Sequence, residues 1–425
     1  MTWIPSLVIS IASYAFVVSL FRYRRLHAAQ RRFKELRKRN VEIDPSAAQD
    51  ISQTALLYDM PFISRLGAQV ALFKTYGIPS IAALLIKTGE LGNELSLSRR
   101  LTDTALLISS FVMCPLAGDP TQMKLSPKPD PRGCLALARM NWLHRQYHIS
   151  NDDMLYTLSR FVLQPMETVE MLDWRPYSEE ERECLFIMWQ EIGRRMTIRN
   201  IPETLHELEA WSRGYEEEKM VPSKGSHQMA MLAIEHAQQR VPNISWLRTF
   251  IASVLISLLD ERVRIAMMLP AQPKWVRTFV WLIFSIRAFV IKYLIFPRSK
   301  PAGYIVLDNP PSSWGPDGQK RLHNVVRRHI PWYYPVANDA SPVSSIRKRI
   351  FGESPFKPGP EFKCEGYRIE ELGPPRFEKF GHDEVFAEAE AMYGGSIDAP
   401  WAPHTIHCRI SYARHLYSKV LRSTP

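Results

Sequence analysis

A chain of 425 residues with 46 % hydrophobic content has length and apolar mass for one large domain or two ordinary ones, which excludes general disorder. Part of the net charge of +11 is gathered in one stretch near the N-terminus, so it does not by itself signal nucleic-acid binding. The five cysteines are odd in number and show no CxxC spacing, which argues against a disulfide framework or a zinc finger and places the bulk of the chain in a reducing compartment. The sequence has no Walker or dinucleotide glycine loop, no GxSxG and no HExxH.

In chain order, residues 2–21 carry no charge. A helix of that length spans about 30 Å, the hydrocarbon thickness of a bilayer. Arg22, Arg24, Arg25, Arg31, Arg32, Lys34, Arg37, Lys38 and Arg39 follow, against the single acid Glu35. Positive charge after the apolar run, rather than before it, reads as an uncleaved single-pass anchor with the bulk of the chain in the cytosol. A polar, basic juxtamembrane linker then occupies 22–60.

Helical patterning dominates 61–296. Ala68–Lys87, Leu101–Val112 and Leu135–Gln146 are predicted as apolar helices. Asp152–Leu163 follows a cap region at Ser150-Asn151, and Glu179–Met196 follows Ser178 with three glutamates in its first turn, where a helix dipole favours acids. A further helix is predicted from Pro202-Glu203 to Tyr215, with the proline near its start. Ile244–Leu259 and Val276–Phe296 are strongly apolar and read as buried or membrane-grazing helices. From Pro297 onward proline and glycine rise, predicting a loop-rich extension, 297–425, that packs on the helical body. The basic pair Lys320-Arg321 with Arg327, Arg328 and His329 has no nucleic-acid recognition motif around it and reads as solvated surface, so no nucleic-acid partner is expected.

Two segments could carry chemistry. In Arg99-Arg100-Leu101-Thr102-Asp103-Thr104, helical spacing puts Arg100, Asp103 and Thr104 on one side: a cation, a carboxylate and a hydroxyl in an otherwise apolar stretch. The plain alternative is an ion pair at a helix start. In the second, Arg139 to His148, His144 and His148 stand four apart, a spacing open to a two-histidine metal site, although no third ligand lies at a recognisable offset. A single axial imidazole on an apolar helix suits a haem, with His144 as first choice and His148 as second. A lone histidine on such a face is more commonly a satisfied core residue.

Further blocks run from Ala71-Leu72-Phe73-Lys74-Thr75-Tyr76-Gly77-Ile78-Pro79 through the two segments above. They continue with Asp153-Met154-Leu155-Tyr156-Thr157-Leu158, Gln164-Pro165, Trp174-Arg175, Trp211 to Glu216 and Met220-Val221-Pro222. In order and spacing these resemble the fungal MpaB branch of the family that contains the rubber oxygenases (latex-clearing proteins), over about residues 1–295. The resemblance implies a mainly α fold with a globin-like helical haem domain and haem b as cofactor. It implies dioxygen as co-substrate, an apolar small-molecule substrate and oxidative cleavage of a carbon–carbon double bond in an isoprenoid chain. It also implies attachment to the endoplasmic reticulum membrane.

In the rubber oxygenases a helical histidine ligates the iron, and an upstream Arg-x-x-Lys-Thr lies by the haem. His144 matches the first, and Arg100 with Thr104 the second. Asp103 departs from the pattern, standing where lysine is found; an aspartate there is expected to hold Arg100 or a water. Arg100, Asp103 and Thr104 are therefore the candidate catalytic residues, with His144 as the metal ligand. Its second ring nitrogen is expected to donate to a carbonyl or carboxylate. Hydroxylation or another oxidation of a secondary-metabolite intermediate is the alternative reaction. A membrane-tethered, non-catalytic lipid-binding scaffold is the alternative class. The sequence leaves the oligomeric state open.

Overall fold

The computed structural model describes residues 3–39, 42–90, 93–116, 130–239, 241, 243–315, 317–326, 329–336, 356–397 and 401. It is mainly helical, as expected. In chain order the described helices are α1 (Trp3–Arg22), α2 (Arg24–Arg39), α3 (Pro45–Gln53), α4 (Pro61–Thr75), α5 (Pro79–Lys87), α6 (Glu94–Met113), α7 (Arg132–Arg145) and α8 (Asn151–Leu172). They continue with α9 (Glu179–Arg195), α10 (Leu205–Lys219), α11 (Lys224–Gln238), α12 (Ser245–Ser257), α13 (Glu261–Ala266), α14 (Lys274–Tyr293) and α15 (His382–Tyr393). Predicted caps form: Ser178 and Ser150 each accept the backbone N–H three residues on, and Glu181 closes a capping box back to Ser178.

Contacts gather the chain into two units, each drawn from separated segments: 1–91 with 150–303, and 92–149 with 304–425. This grouping cuts across the serial division expected at 296/297. The predicted second segment does not join the helices immediately before it; it groups with α6 and α7.

The first unit is built on α4 against α8. Gly67 lets them touch, since a Cβ there would lie 2.5 Å from the Cα of Pro165. Pro165 sits inside α8, where a proline cannot donate to the helix ladder. The single helix predicted over 68–87 is instead α4 and α5, bent by 88°. Pro79 opens α5 after the turn at Tyr76-Gly77-Ile78, because a proline suits a first turn and not a helix interior. The linker read at 22–60 is also more ordered than expected. It holds α2, α3 and a π-helical turn, Thr54–Asp59, with Ala29, Phe33, Ile51 and Cys184 in one small core.

Several blocks of the resemblance serve this unit's interior. Lys74 pairs with Asp260 at 2.5 Å and with Glu216, which also binds Arg160 and the Tyr156 hydroxyl. Arg175 joins Asp59 and Glu181, and the Trp174 indole N–H donates to the Asp59 carbonyl. Such buried charges are tolerated because they are paired and hydrogen-bonded.

Helix α1 forms where the anchor was predicted. Among the described residues, however, no single helix is long and apolar enough to cross a membrane; the bent pair α4–α5 reaches that mark only by length and composition. Helix α1 is docked against α14: Tyr14 donates to the Leu294 carbonyl, and Arg22 to those of Ile291 and Ile295.

The second unit packs α6 and α15 on α7. Around them lie a two-stranded antiparallel hairpin, β1 (Ser312–Trp314) with β2 (Lys320–Leu322), and three 3-10 turns at Pro360–Phe362, Ile369–Glu371 and Pro375–Phe377. Arg321, from the basic run, is occupied by Asp317 and Glu371; Arg327 and Arg328 lie outside the described residues.

Candidate functional site

All four predicted site residues fall in the second unit. Helix α6 begins at a capping box in which the Asn93 side chain accepts from the Ser96 N–H, and it carries Arg99 to Thr104 in its first half. Helix α7 ends at Arg145 and carries His144 in its last turn. His148 lies beyond that end and is exposed, so the two histidines do not share a helical face. This removes the i,i+4 reading and weakens the second-choice ligand.

His144 follows Leu137 and Met140, both buried, on one face of α7. Its Nδ1 is enclosed and has no hydrogen-bond partner. The carbonyl or carboxylate expected to fix that nitrogen is absent among the described residues. Burial, with the nearby Arg100 charge as a second cause, lowers the imidazole pKa to about 4. The ring is therefore neutral at physiological pH, with a lone pair available.

Arg100 is the charge felt by His144, and among the described residues it has no ion pair or hydrogen bond. Its neighbours on the same unit are all engaged. Arg99 binds Glu378 at 2.7 Å and lies over the Trp332 ring. Arg132 grips Asp130 and the carbonyls of Val306 and Leu307. Arg139, fully buried, donates to the carbonyls of Leu372, Phe377 and Phe380. Thr104 stands one turn after Arg100 and is half-buried.

Asp103 does not hold Arg100. It is fully buried and accepts from the Tyr333 hydroxyl at 2.8 Å and from the Gly373 N–H at 3.1 Å, with Arg99 Nε 3.8 Å away. Burial raises its carboxyl to about 6, against the opposing pull of Arg99 and the two donors. Both donors come from special backbone: Gly373 has φ +122°, open essentially to glycine, and Tyr333 has φ +60°. Asp103 thus ties α6 to two segments of the C-terminal region.

Tyr333, Gly373 and Arg139 were missed as site-supporting residues. Only the proximity of Arg139 to His144 in sequence could have flagged any of them.

Replacing the carboxylate of Asp103 with an amide would set an N–H donor against one of the two donors it now accepts from. Asp103→Asn is expected to cost about 2 kcal/mol, the range for a lost charged hydrogen bond. A double-mutant cycle with Tyr333→Phe, read by chemical unfolding, checks this. Additive losses would show that the two side chains do not interact.

The sequence model of a family described as "ER-bound oxygenase mpaB/B'/Rubber oxygenase, catalytic domain" matches residues 132–288, a span that opens with α7 and includes His144. A curated protein called ER-bound oxygenase mpaB', from Penicillium brevicompactum, is 30 % identical over 403 residues, covering 90 % of each chain. The chain belongs to the MpaB/rubber oxygenase family. Two other members, both called ER-bound oxygenase mpaB, are also similar. One, from Penicillium roqueforti, is 32 % identical over 57 % of this chain and 83 % of its own. The other, from P. brevicompactum, is 28 % identical over 78 % of each. Membership in this oxygenase family supports an oxidoreductase that uses dioxygen, associated with the endoplasmic reticulum. Within the family frame, Arg100, Asp103 and Thr104 lie upstream of the matched span, on the helix preceding it.

The donor set can be tested against the cofactor that the resemblance implies. Among the described residues no three His, Cys, Asp or Glu side chains converge as a metal cage. What is present is one neutral imidazole with an unpartnered buried nitrogen beside one uncommitted guanidinium. A b-type haem asks for that combination: one axial imidazole and a cation for a carboxylate side arm. The residues fit the group.

Proposed function

We propose that the protein is a haem b oxygenase of the endoplasmic reticulum membrane that cleaves a carbon–carbon double bond in the isoprenoid or other apolar chain of a fungal secondary-metabolite intermediate. The observation that carries this reading is the juxtaposition of a neutral, enclosed His144 with Arg100, which has no ion pair or hydrogen bond among the described residues, in a chain of an oxygenase family.

His144 would hold the iron and Arg100 a haem carboxylate. Bound haem would supply the metal centre at which dioxygen is activated. Thr104, one turn along α6, offers a hydroxyl on the Arg100 side. Asp103 acts as a positioning residue: its hydrogen bonds to Tyr333 and Gly373 keep α6, and with it Arg100, in place. The reaction balances without a reductant, since an alkene and dioxygen give two carbonyl products that share both oxygen atoms. The globin-like core belongs to this proposal, as does membrane attachment through α1 with the remaining chain on the cytosolic side.

An absorption spectrum of purified, haem-supplemented protein is the primary test. A Soret band that shifts on reduction is expected, and a colourless preparation would favour a lipid-binding scaffold. Product masses separate the reactions: cleavage shortens the carbon skeleton, whereas hydroxylation leaves it whole and adds one oxygen.

A further inference from the structure

In the first unit, α14 presents an apolar stripe to the outside. Trp275, Phe279, Leu282, Ile286 and Phe289 follow one another at spacings of four and three, which places them on one helical face. All are exposed, Trp275 at 60 % and both Ile286 and Phe289 at 56 %. The opposite face is satisfied: Val276 and Val280 are buried, and Arg287 turns inward to Asp173. The stripe runs about 21 Å at 1.5 Å per residue. Trp246 and Phe250 of α12 extend it sideways, Phe250 being stacked on Trp275. At its other end Phe296 meets Tyr14 and Phe21 of α1, whose Ile9, Phe16 and Leu20 are also exposed.

We infer that this α14 face lies in the headgroup–acyl boundary of a bilayer leaflet, as a second membrane contact beside α1. Three features choose a lipid surface over a protein partner. Residues 274–300 hold no acid, and besides the inward-turned Arg287 they carry five basic side chains, Lys274, Arg277, Lys292, Arg298 and Lys300, a balance suited to anionic headgroups. Tryptophans stand toward the start of the stripe beside Lys274 and Arg277, the pairing of amphipathic ring and long cation that settles at a membrane interface. An apolar face of this length left open to water is characteristic of interaction sites, and relatives of this chain are named ER-bound. The inference rests on membrane attachment and adds which surface faces the lipid.

The test uses the full chain carrying Cys364→Ser and Cys408→Ser; Cys114, Cys134 and Cys184 are buried and do not take label. A nitroxide is placed singly through Ile286→Cys, Leu282→Cys, Phe16→Cys or Glu218→Cys, and the protein is reconstituted with phosphatidylcholine–phosphatidylserine vesicles. Collision with oxygen, which concentrates in lipid, is compared with collision with a water-soluble nickel chelate. Labels at 286 and 282 are expected to show an oxygen-to-nickel ratio severalfold above that at 218. If labels at 286 and 282 meet nickel while 16 is shielded, the α14 inference fails and membrane attachment stands. If 16, 282 and 286 all meet nickel, both fail. Labels at 286 and 282 shut off from both reagents would show a protein covering the face, and would overturn the inference.

Discussion

The His144→Ala variant is expected to be folded, colourless and inactive. The physical case rests on what the side chain does not do. Its Nδ1 makes no hydrogen bond, so truncation removes no structural bond and leaves no orphaned partner. Its low affinity for protons keeps it neutral, which is the form that donates to a metal. Circular dichroism should match the parent chain while the Soret band and product formation disappear together. Free imidazole, small enough for the space vacated, should restore part of the spectrum. His148→Ala, at an exposed position past the end of α7, should change neither. A normal haem spectrum in His144→Ala would refute the assignment.

The same imidazole sets a pH window for the haem-free chain. Its folded value of about 4 lies below the ordinary 6.5, so the unfolded chain takes up a proton that the folded chain resists. Its contribution to stability is complete above about 6.5 and is lost as pH falls from there through about 4.

The second large effect is expected at Arg139. Arg139→Met keeps the stem and deletes a buried guanidinium that satisfies three carbonyls, those of Leu372, Phe377 and Phe380. Leaving buried carbonyls without their donor costs about 1–3 kcal/mol, most of it from the groups left unpaired. Arg139→Lys should rescue little, because an ammonium cannot reproduce a planar fork reaching three acceptors. Hydrogen exchange followed by mass spectrometry should show lost protection across 369–381, with the α4–α8 pair in the other unit unchanged. Unaltered exchange over 369–381 would mean that those carbonyls do not depend on Arg139.

How legible this was depends on the kind of signal. Helices marked by caps and acidic first turns, such as those after Ser150 and Ser178, could be read directly because the information is local. The break at 76–79 was obscured by continuous apolar residues on either side, although Pro79 was in plain view. The partner of Asp103 could not be read at all. Tyr333 and Gly373 lie 230 and 270 residues away, and no periodicity links them to α6. His144 stood out by spacing and resemblance; that Arg100, unlike Arg99, Arg132 and Arg139, has no ion pair or hydrogen bond among the described residues depends on tertiary contacts that no spacing shows.

The interleaving of the two units sets a timetable during synthesis. The carbonyl that Arg139 binds at Leu372 is made 233 residues later, which at ribosomal speed is a delay of roughly 10–50 s. Over that interval the α4–α8 pair can assemble, but α6 and α7 have neither Tyr333 nor Leu372 to close on. The nascent segment that bears His144 is therefore completed last, well after the α4–α8 pair.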